Sequence, residues 1–281
     1  MTADPPGTPV RQGVGRHRHR RRRPKRRALI AAAIVVVAAL IGVLVWYLTR
    51  TTGPPPYTLD VKPGYTVAEV ANQLGEPIAT SFVKVSHTVP SQFQPSGNHS
   101  LEGLLGTGDY QVTADETAEQ LLTTMVDRFD HQAAAAGLNA KSAAKLDMTE
   151  YQVVIAASIV EKEGYYDKNM GKVARVIVNR LAQGMTLDMT STVLFSLGQD
   201  GGTVTPHDRQ LDTPYNTYKH AGLTPTPICF PSMAALRAAV DPTPGTWLYF
   251  VVVDKDGTEA FSTTYTQQIA NEKLAASRGL G

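Results

Sequence analysis

Cysteine is almost absent from this sequence: Cys229 is the only one among 281 residues. A single cysteine excludes an intramolecular disulfide framework, so the folded part of the chain has to be stabilised by the packing of its core. Hydrophobic residues make up 42% of the chain, which is enough to supply such a core. Cys229 lies between Ile228 and Phe230, a setting typical of a small buried hydrophobic residue and not of a nucleophile.

Signals for metal and phosphate chemistry are also missing. Beyond residue 27 no two histidines stand at the spacing of metal ligands, so we expect no metal and no cofactor. The histidines concerned are His87, His99, His131, His207 and His220. The chain has no Gly-x-Ser-x-Gly motif for a serine nucleophile and no glycine-rich loop for phosphate. If the protein is an enzyme, its chemistry therefore rests on carboxylates.

Acidic residues are nearly absent from the first 27 residues, which hold ten of the 27 Lys and Arg residues but only one of the 25 Asp and Glu residues. The rest of the chain has a net charge of −7, which disfavours binding to nucleic acid. Residues 28–48 carry no charge and have Trp46 and Tyr47 near their end. A helix of this length, rising about 1.5 Å per residue, crosses about 30 Å of hydrocarbon. We therefore predict a single transmembrane helix over residues 28–48.

The basic block sets the expected orientation of this helix. Positive residues that adjoin a span stay in the cytoplasm, so residues 1–27 predict a cytoplasmic tail and an extracytoplasmic remainder. A nucleic-acid-binding arm and a cleaved signal peptide are the alternatives. The block lies directly before the span, which argues against the arm, and an aromatic pair replaces the small residues of a cleavage site. We expect a single-pass protein of the plasma membrane with a short proline-rich linker at residues 49–56.

Beyond the linker, the pattern predicts an α+β fold in two parts. A strand at Tyr57–Val61, a Pro-Gly turn and a helix capped by Thr66 are typical of the opening of a small LysM-like module, which we assign to residues 57–115. Residues 116–281 are predicted to form a mixed α/β catalytic domain with a late β-hairpin. Its predicted helices cover residues 117–131, 149–162, 172–182, 232–240 and 266–277, and its predicted strands cover residues 247–253 and 259–263.

Two glutamates stand at the end of the most apolar predicted helix, residues 149–162. Glu161 and Glu163 are two positions apart, so they point about 200° apart around the helix and at most one can face its apolar surroundings. A carboxyl at such a border is partly desolvated, which raises its pKa and suits it to be a general acid. The alternative is that both are solvated charges beside Lys162.

The second polar cluster of interest is Tyr215, Asn216, Thr217 and Tyr218, in a region rich in Thr and Pro. Aromatic faces combined with neutral hydrogen-bonding groups suit the binding of sugar rings. An ordinary turn with tyrosines packed on the core is equally compatible with this pattern.

Short motifs along residues 57–275 occur in the order and spacing of a known family. They lie at residues 157–163, 178–181, 184–187, 191–193 and 215–218, with weaker matches at 101–103 and 248–251. Together they resemble the endolytic murein transglycosylases of the MltG/YceG-like family.

This resemblance implies a lytic transglycosylase that cleaves the β-1,4 bond between N-acetylmuramic acid and N-acetylglucosamine within nascent peptidoglycan strands. The catalytic glutamate of the family corresponds to Glu163. It acts first as acid on the glycosidic oxygen and then as base toward the muramyl 6-hydroxyl, which closes a 1,6-anhydro ring. The expected partners are glycan strands, the membrane and cell-wall synthases. Substrate-binding or supporting roles are implied for Glu161, Ser158, Asn179, Arg180, Thr190, Tyr215, Asn216, Thr217 and Tyr218.

The sequence departs from the family pattern at three positions. Thr190 stands where the family usually has an aspartate, and Glu259 and Gln268 stand where it usually has histidines. These departures leave open a catalytically weakened, membrane-tethered glycan-binding or scaffold protein of the cell-wall synthesis machinery. A hydrolase is a third class, and its products would carry reducing ends.

Overall fold

A computed structural model of the chain describes residues 24–51, 55–76, 78–164 and 167–280. The chain divides into two compact units, Met1–Gly53 and Pro54–Gly281. In the first unit, helix α1 (Pro24–Thr51) contains an apolar stretch at Leu29–Tyr47 with a mean hydropathy of 3.0 and exposed side chains. By length and composition this stretch is able to cross a membrane.

The predicted span at residues 28–48 agrees with α1, although the helix extends beyond it at both ends. Proline is well tolerated in the first turn of a helix, which fits the start at Pro24. The basic tail up to residue 23 and linker residues 52–54 lie outside the described residues. The orientation of the helix stays a prediction.

The second unit begins with two strands and two helices. Strand β1 (Tyr57–Val61) is followed by α2 (Val67–Gln73), α3 (Ile78–Val85) and β2 (Gly108–Val112). The strands pair antiparallel, with Tyr57 opposite Val112, and alternate residues of each face the core. Thr66 and Glu69 form a capping box at the start of α2, as the Thr66 cap predicted. Helix α3 and strand β2 were not predicted, and the assignment of a LysM-like module stays a prediction.

Helix α6 lies at the centre of the remaining fold. The chain continues through α4 (Ala118–Ala135) and α5 (Ala140–Ala144) to α6 (Glu150–Glu163), where Tyr151 and all of residues 153–160 are buried. This burial agrees with the strongly apolar character of the predicted helix at residues 149–162. Its neighbours are α5, α7 (Asp167–Ala182), α8 (Thr190–Ser196) and α9 (Met233–Val240).

The chain ends in a β-hairpin and a helix. Strands β3 (Tyr249–Val252) and β4 (Glu259–Ser262) pair antiparallel, and α10 (Tyr265–Ser277) packs on both of them. The predicted hairpin and mixed α/β character are therefore confirmed. A short 3-10 helix at Asp208–Gln210 lies in the long segment between α8 and α9.

One hydrophobic core runs through both predicted parts of this unit. Leu59 and Phe82 from the first part belong to the same cluster of buried side chains as Ile159 and Phe230 from the second. The division at residue 115 therefore stays a prediction. Cys229 is fully buried beside the carbonyl oxygen of Ser158, as expected for a small core residue.

Gly103 is the position where this core depends most directly on glycine. Its φ of +75° favours glycine, and an added Cβ would lie 2.2 Å from Cβ of Pro227. Gly97 has a similar φ of +83° but open space around it.

We expect Gly103→Ala to lower the free energy of unfolding by at least about 2 kcal/mol more than Gly97→Ala, because only the former adds a steric clash. Thermal unfolding of the full chain in detergent measures this, and equal losses would refute the packing argument.

Candidate active site

The two glutamates in the last turn of α6 point in different directions, as helical geometry predicts. Oε2 of Glu161 accepts a hydrogen bond of 2.9 Å from the backbone N–H of Ser232, the residue that caps α9. Glu161 thereby ties α6 to α9. Glu163 is the final residue of α6 and is half-buried. It points instead toward the start of α8.

Ser191 holds the carboxyl group of Glu163 from α8. The backbone N–H of Ser191 donates to Oε1 of Glu163 at 2.9 Å, and the Ser191 hydroxyl donates to the same oxygen at 2.6 Å. Burial raises the pKa of Glu163, while the two bonds from Ser191 oppose that rise by stabilising the charged form. A carboxyl that keeps its proton above its ordinary pKa suits general acid catalysis.

Two clefts meet at Glu163. The first cleft, of about 640 Å³, is lined by Glu163 and Thr190 together with α2, Glu102, Lys162 and the loop at residues 198–202. The second cleft, of about 490 Å³, is lined by the same Glu163 and Thr190 together with side chains of α7, β3 and α10. A chain-like ligand could therefore extend from Glu163 in both directions.

A salt bridge closes one side of the first cleft. Nζ of Lys162 lies 2.5 Å from Oδ1 of Asp200, in the glycine-rich loop at residues 198–202. Lys162 is therefore paired and not a solvated charge at the end of a helix.

The second cleft has an aromatic wall. Tyr218, Tyr249, Phe250 and Tyr265 line it, and the rings of Tyr249 and Tyr265 lie 5.9 Å apart. The Tyr218 hydroxyl lies 3.0 Å from the hydroxyl of Thr190, so it positions a group that both clefts share. Tyr265 is exposed and the other three are half-buried, and aromatic side chains at a cleft wall suit contact with sugar rings.

Arg180 holds this wall in place. Its buried guanidinium donates to the carbonyl oxygens of Thr186, Leu187 and Leu248 and forms a 2.8 Å ion pair with Asp188. These bonds tie α7 to β3 and to the segment before α8. Arg180 lines the second cleft and braces it, in keeping with a supporting role.

Two of the four residues in the cluster at residues 215–218 are buried. Asn216 and Thr217 are 0% and 2% exposed, so neither can contact a substrate directly. The Asn216 side chain donates to the carbonyl oxygens of Arg209 and Leu211, and the Thr217 hydroxyl accepts from the N–H of Met189 just before α8. Both residues are buried because they satisfy the backbone of the loops that build the clefts.

Three further residues from the sequence line neither of these two clefts. The ring of Tyr215 packs on Phe195, and its hydroxyl bonds to Thr226. Ser158 is fully buried and accepts from the N–H of Ile228. The Asn179 amide donates to the carbonyl oxygens of Gly245 and Trp247. Their contacts are structural.

The three departures from the family pattern lie in different settings. Thr190 stands beside Glu163 at the junction of the clefts. Gln268 lines the second cleft and bonds to Ser262 and to the carbonyl oxygen of Phe250. Glu259 lies in β4 opposite Val252 and lines neither cleft. Thr190 is the departure placed to affect chemistry.

Glu102 is the site residue that sequence reasoning missed. It is 9% exposed, lines the first cleft, and accepts a 3.2 Å hydrogen bond from the N–H of Val67 at Oε2. Burial raises its pKa to about 8. An acidic residue within the apolar run at residues 101–105 was the signal that could have found it.

Three comparisons of this chain with known proteins agree with one another. A model of the YceG-like family matches residues 43–273. Endolytic murein transglycosylases of Bacillus subtilis and Streptococcus pneumoniae are each 30% identical, over 188 and 164 residues, covering 66% and 57% of this chain. The chain spans 51% of the first and 29% of the second. A crystal structure of a yceG-like protein from Listeria monocytogenes matches with a TM-score of 0.64 at 30% identity, covering 79% of this chain and 77% of that one.

The raised pKa of Glu102 predicts a pH-dependent stability. Between the ordinary value of 4.5 and about 8 the folded state keeps a proton that the unfolded state has lost, so this contribution falls as pH rises through that window. Glu102→Gln removes this dependence. We expect the variant to gain more than about 1 kcal/mol relative to wild type between pH 4.5 and 8 in urea unfolding.

The exposed residue Glu119 on α4 provides the control for this measurement. The profile of Glu119→Gln should run parallel to that of wild type. A parallel profile for Glu102→Gln as well would show that Glu102 ionises normally.

Proposed function

This chain belongs to the YceG-like family, and on that premise we propose that it is a membrane-anchored endolytic lytic transglycosylase of peptidoglycan. Its reaction is cleavage of the β-1,4 bond between N-acetylmuramic acid and N-acetylglucosamine, with formation of a 1,6-anhydro end. The observation that carries this proposal is the position of Glu163, a carboxyl with a raised pKa at the junction of two clefts.

One carboxyl is sufficient for this reaction because the nucleophile belongs to the substrate. Both bonds from Ser191 meet Oε1, which leaves Oε2 of Glu163 to carry the proton. Glu163 donates this proton to the glycosidic oxygen as the bond to the muramyl C1 breaks. It then accepts the proton of the muramyl 6-hydroxyl as that oxygen bonds to C1. Glu163 ends protonated again, and no water is consumed.

Two features support action within glycan strands rather than at their ends. The clefts leave Glu163 on two sides, so sugars on both sides of the cut bond have room. The aromatic wall of Tyr218, Tyr249, Phe250 and Tyr265 offers stacking surfaces along the second cleft. Thr190 and Tyr218 then contact substrate directly, while Glu161, Ser158, Asn179, Arg180, Tyr215, Asn216 and Thr217 support the walls.

The location of the substrate follows from the anchor. Helix α1 retains the chain in the plasma membrane with its basic tail in the cytoplasm, so residues 55–280 lie outside. Nascent glycan strands and the synthases that make them are the expected partners. The LysM-like part at residues 57–115 contributes α2 and Glu102 to the first cleft.

A catalytically weakened glycan-binding protein is the second candidate. The observation that favours it is Thr190, which stands beside Glu163 where the family usually has an aspartate. Without that second acid, the substrate hydroxyl or the developing positive charge receives less stabilisation.

Glu163→Gln should abolish release of 1,6-anhydro ends, a loss of at least about a thousandfold, because the amide cannot donate or accept the catalytic proton. Uncrosslinked glycan strands are digested with the full chain in detergent, and the products are reduced with borohydride and analysed by mass spectrometry. Binding of strands should persist in the variant.

Glu161→Gln is the matched control, since its amide oxygen can still accept the bond from Ser232. It should retain activity within about tenfold. Reducing ends from wild type would instead indicate a hydrolase, and binding without any cleavage would favour the second candidate.

Ser191→Ala should shift the pH dependence of activity. Loss of the hydroxyl removes a bond that lowers the pKa of Glu163, so the acid stays protonated to higher pH. The alkaline limb of the kcat/KM profile should therefore shift to higher pH. The value of kcat/KM at the optimum should fall by less than about tenfold. Ser196→Ala, in the same helix and bonded to Val193, should leave the profile in place. An unmoved limb in Ser191→Ala would mean that another group controls it.

A further inference from the structure

The first cleft contains a second carboxyl group, that of Glu102. It lies on the segment between α3 and β2, about nine-tenths buried, and shares the cleft wall with Glu163. One of its oxygens, Oε2, accepts the N–H of Val67 at the start of α2. The other, Oε1, is buried without a hydrogen-bond partner among the described residues. A buried polar atom without a partner is costly, so its position in the wall of a ligand-sized cleft calls for an explanation.

Few charges near Glu102 favour its ionised form. Glu69 on α2 repels a negative charge there, and Lys162 on α6 attracts one, but Lys162 is already paired with Asp200. Tyr151 and Cys229 also interact electrostatically with Glu102. Burial outweighs these effects and raises the pKa of Glu102 to about 8. At neutral pH the group is a carboxylic acid with one O–H to donate.

The chemistry of this donor limits what it can bind. A carboxylic acid in an apolar setting donates a strong hydrogen bond to a neutral acceptor. Sugar hydroxyls and amide carbonyls are such acceptors. The rest of the cleft wall offers further neutral polar groups from Thr66, Asn72 and Ser191.

We propose that Glu102 binds the glycan strand directly, donating a hydrogen bond from its protonated carboxyl to a neutral hydroxyl or amide oxygen of a sugar in the first cleft. This inference rests on the proposed function, because it takes its ligand from there. It makes Glu102 a binding residue that acts beside Glu163 without sharing its proton transfers.

A purely structural role is the competing explanation, because Glu102 also holds the start of α2 through Val67. Two variants separate the roles. Glu102→Gln keeps an oxygen for the Val67 N–H and an N–H₂ donor for the ligand, but it cannot ionise. Val67→Pro removes the N–H itself at the first position of a helix, where proline is tolerated, and leaves Glu102 intact. Thr66, with φ −105° and ψ 167°, already has the extended backbone that precedes proline readily.

The experiment measures the affinity of the full chain in detergent for fluorescently labelled, uncrosslinked glycan strands at pH 7 and pH 9. All variants carry Glu163→Gln, which prevents cleavage and removes the titration of Glu163. The parent should bind about tenfold more weakly at pH 9, because ionised Glu102 can no longer donate. With Glu102→Gln added, the change should be less than about threefold. Unfolding temperatures at both pH values monitor folding.

Val67→Pro should bind as the parent does at pH 7. Its loss of affinity should move to higher pH, since the Val67 bond lowers the pKa of Glu102. Weak binding by Val67→Pro at pH 7 would overturn the proposal in favour of the structural role. Equal affinity of the parent for strands at pH 7 and pH 9 would also overturn the proposal. The same would hold if Glu102→Gln lost as much affinity at pH 9 as the parent does. If no variant binds strands at either pH, the proposed function fails and this inference fails with it.

Discussion

Burial of α6 on nearly every side is the constraint on which the candidate site depends. A helix enclosed by α5, α7, α8 and α9 cannot rotate or slide, so its last turn has a fixed orientation. Glu161 is thereby directed to α9 and Glu163 to α8 and the clefts. A rigid helix end meets the demand of general acid catalysis, which tolerates little misplacement of the proton donor.

The same enclosure sets the electrostatics of the site. Glu163 and Glu102 come from distant parts of the chain, yet burial raises the pKa of both, so both favour their neutral forms more than exposed carboxyls do. Two buried carboxyls in one cleft lower the free energy of unfolding at neutral pH. Functional sites are often less stable than the rest of a protein for such reasons. The hydrogen bonds from Ser191 lower the pKa of Glu163 and do not involve Glu102. In our proposals Glu163 transfers the proton and Glu102 binds the strand.

The anchor and the clefts fit one account of the protein. In the proposed function, α1 would hold the chain at the membrane where new glycan strands emerge, and the two clefts that share Glu163 would accept the interior of a strand. Arg180 and the buried residues Asn216 and Thr217 hold the segments that form those clefts through hydrogen bonds to their backbone. Two of these bonds join distant parts of the chain, that of Arg180 to Leu248 and that of Met189 to Thr217.

The elements whose signals are local could be predicted from the amino-acid sequence. The apolar span, the capped helices, the hairpin, the divergence of Glu161 and Glu163, and the family followed from periodicity, caps and motif order. The three-dimensional fold was needed to find α3, β2 and α8, which are short, and the burial of Asn216 and Thr217. It also brought Glu102 into the cleft of Glu163. Strand pairing and cleft walls join residues tens of positions apart, and one-dimensional patterns carry no such distances.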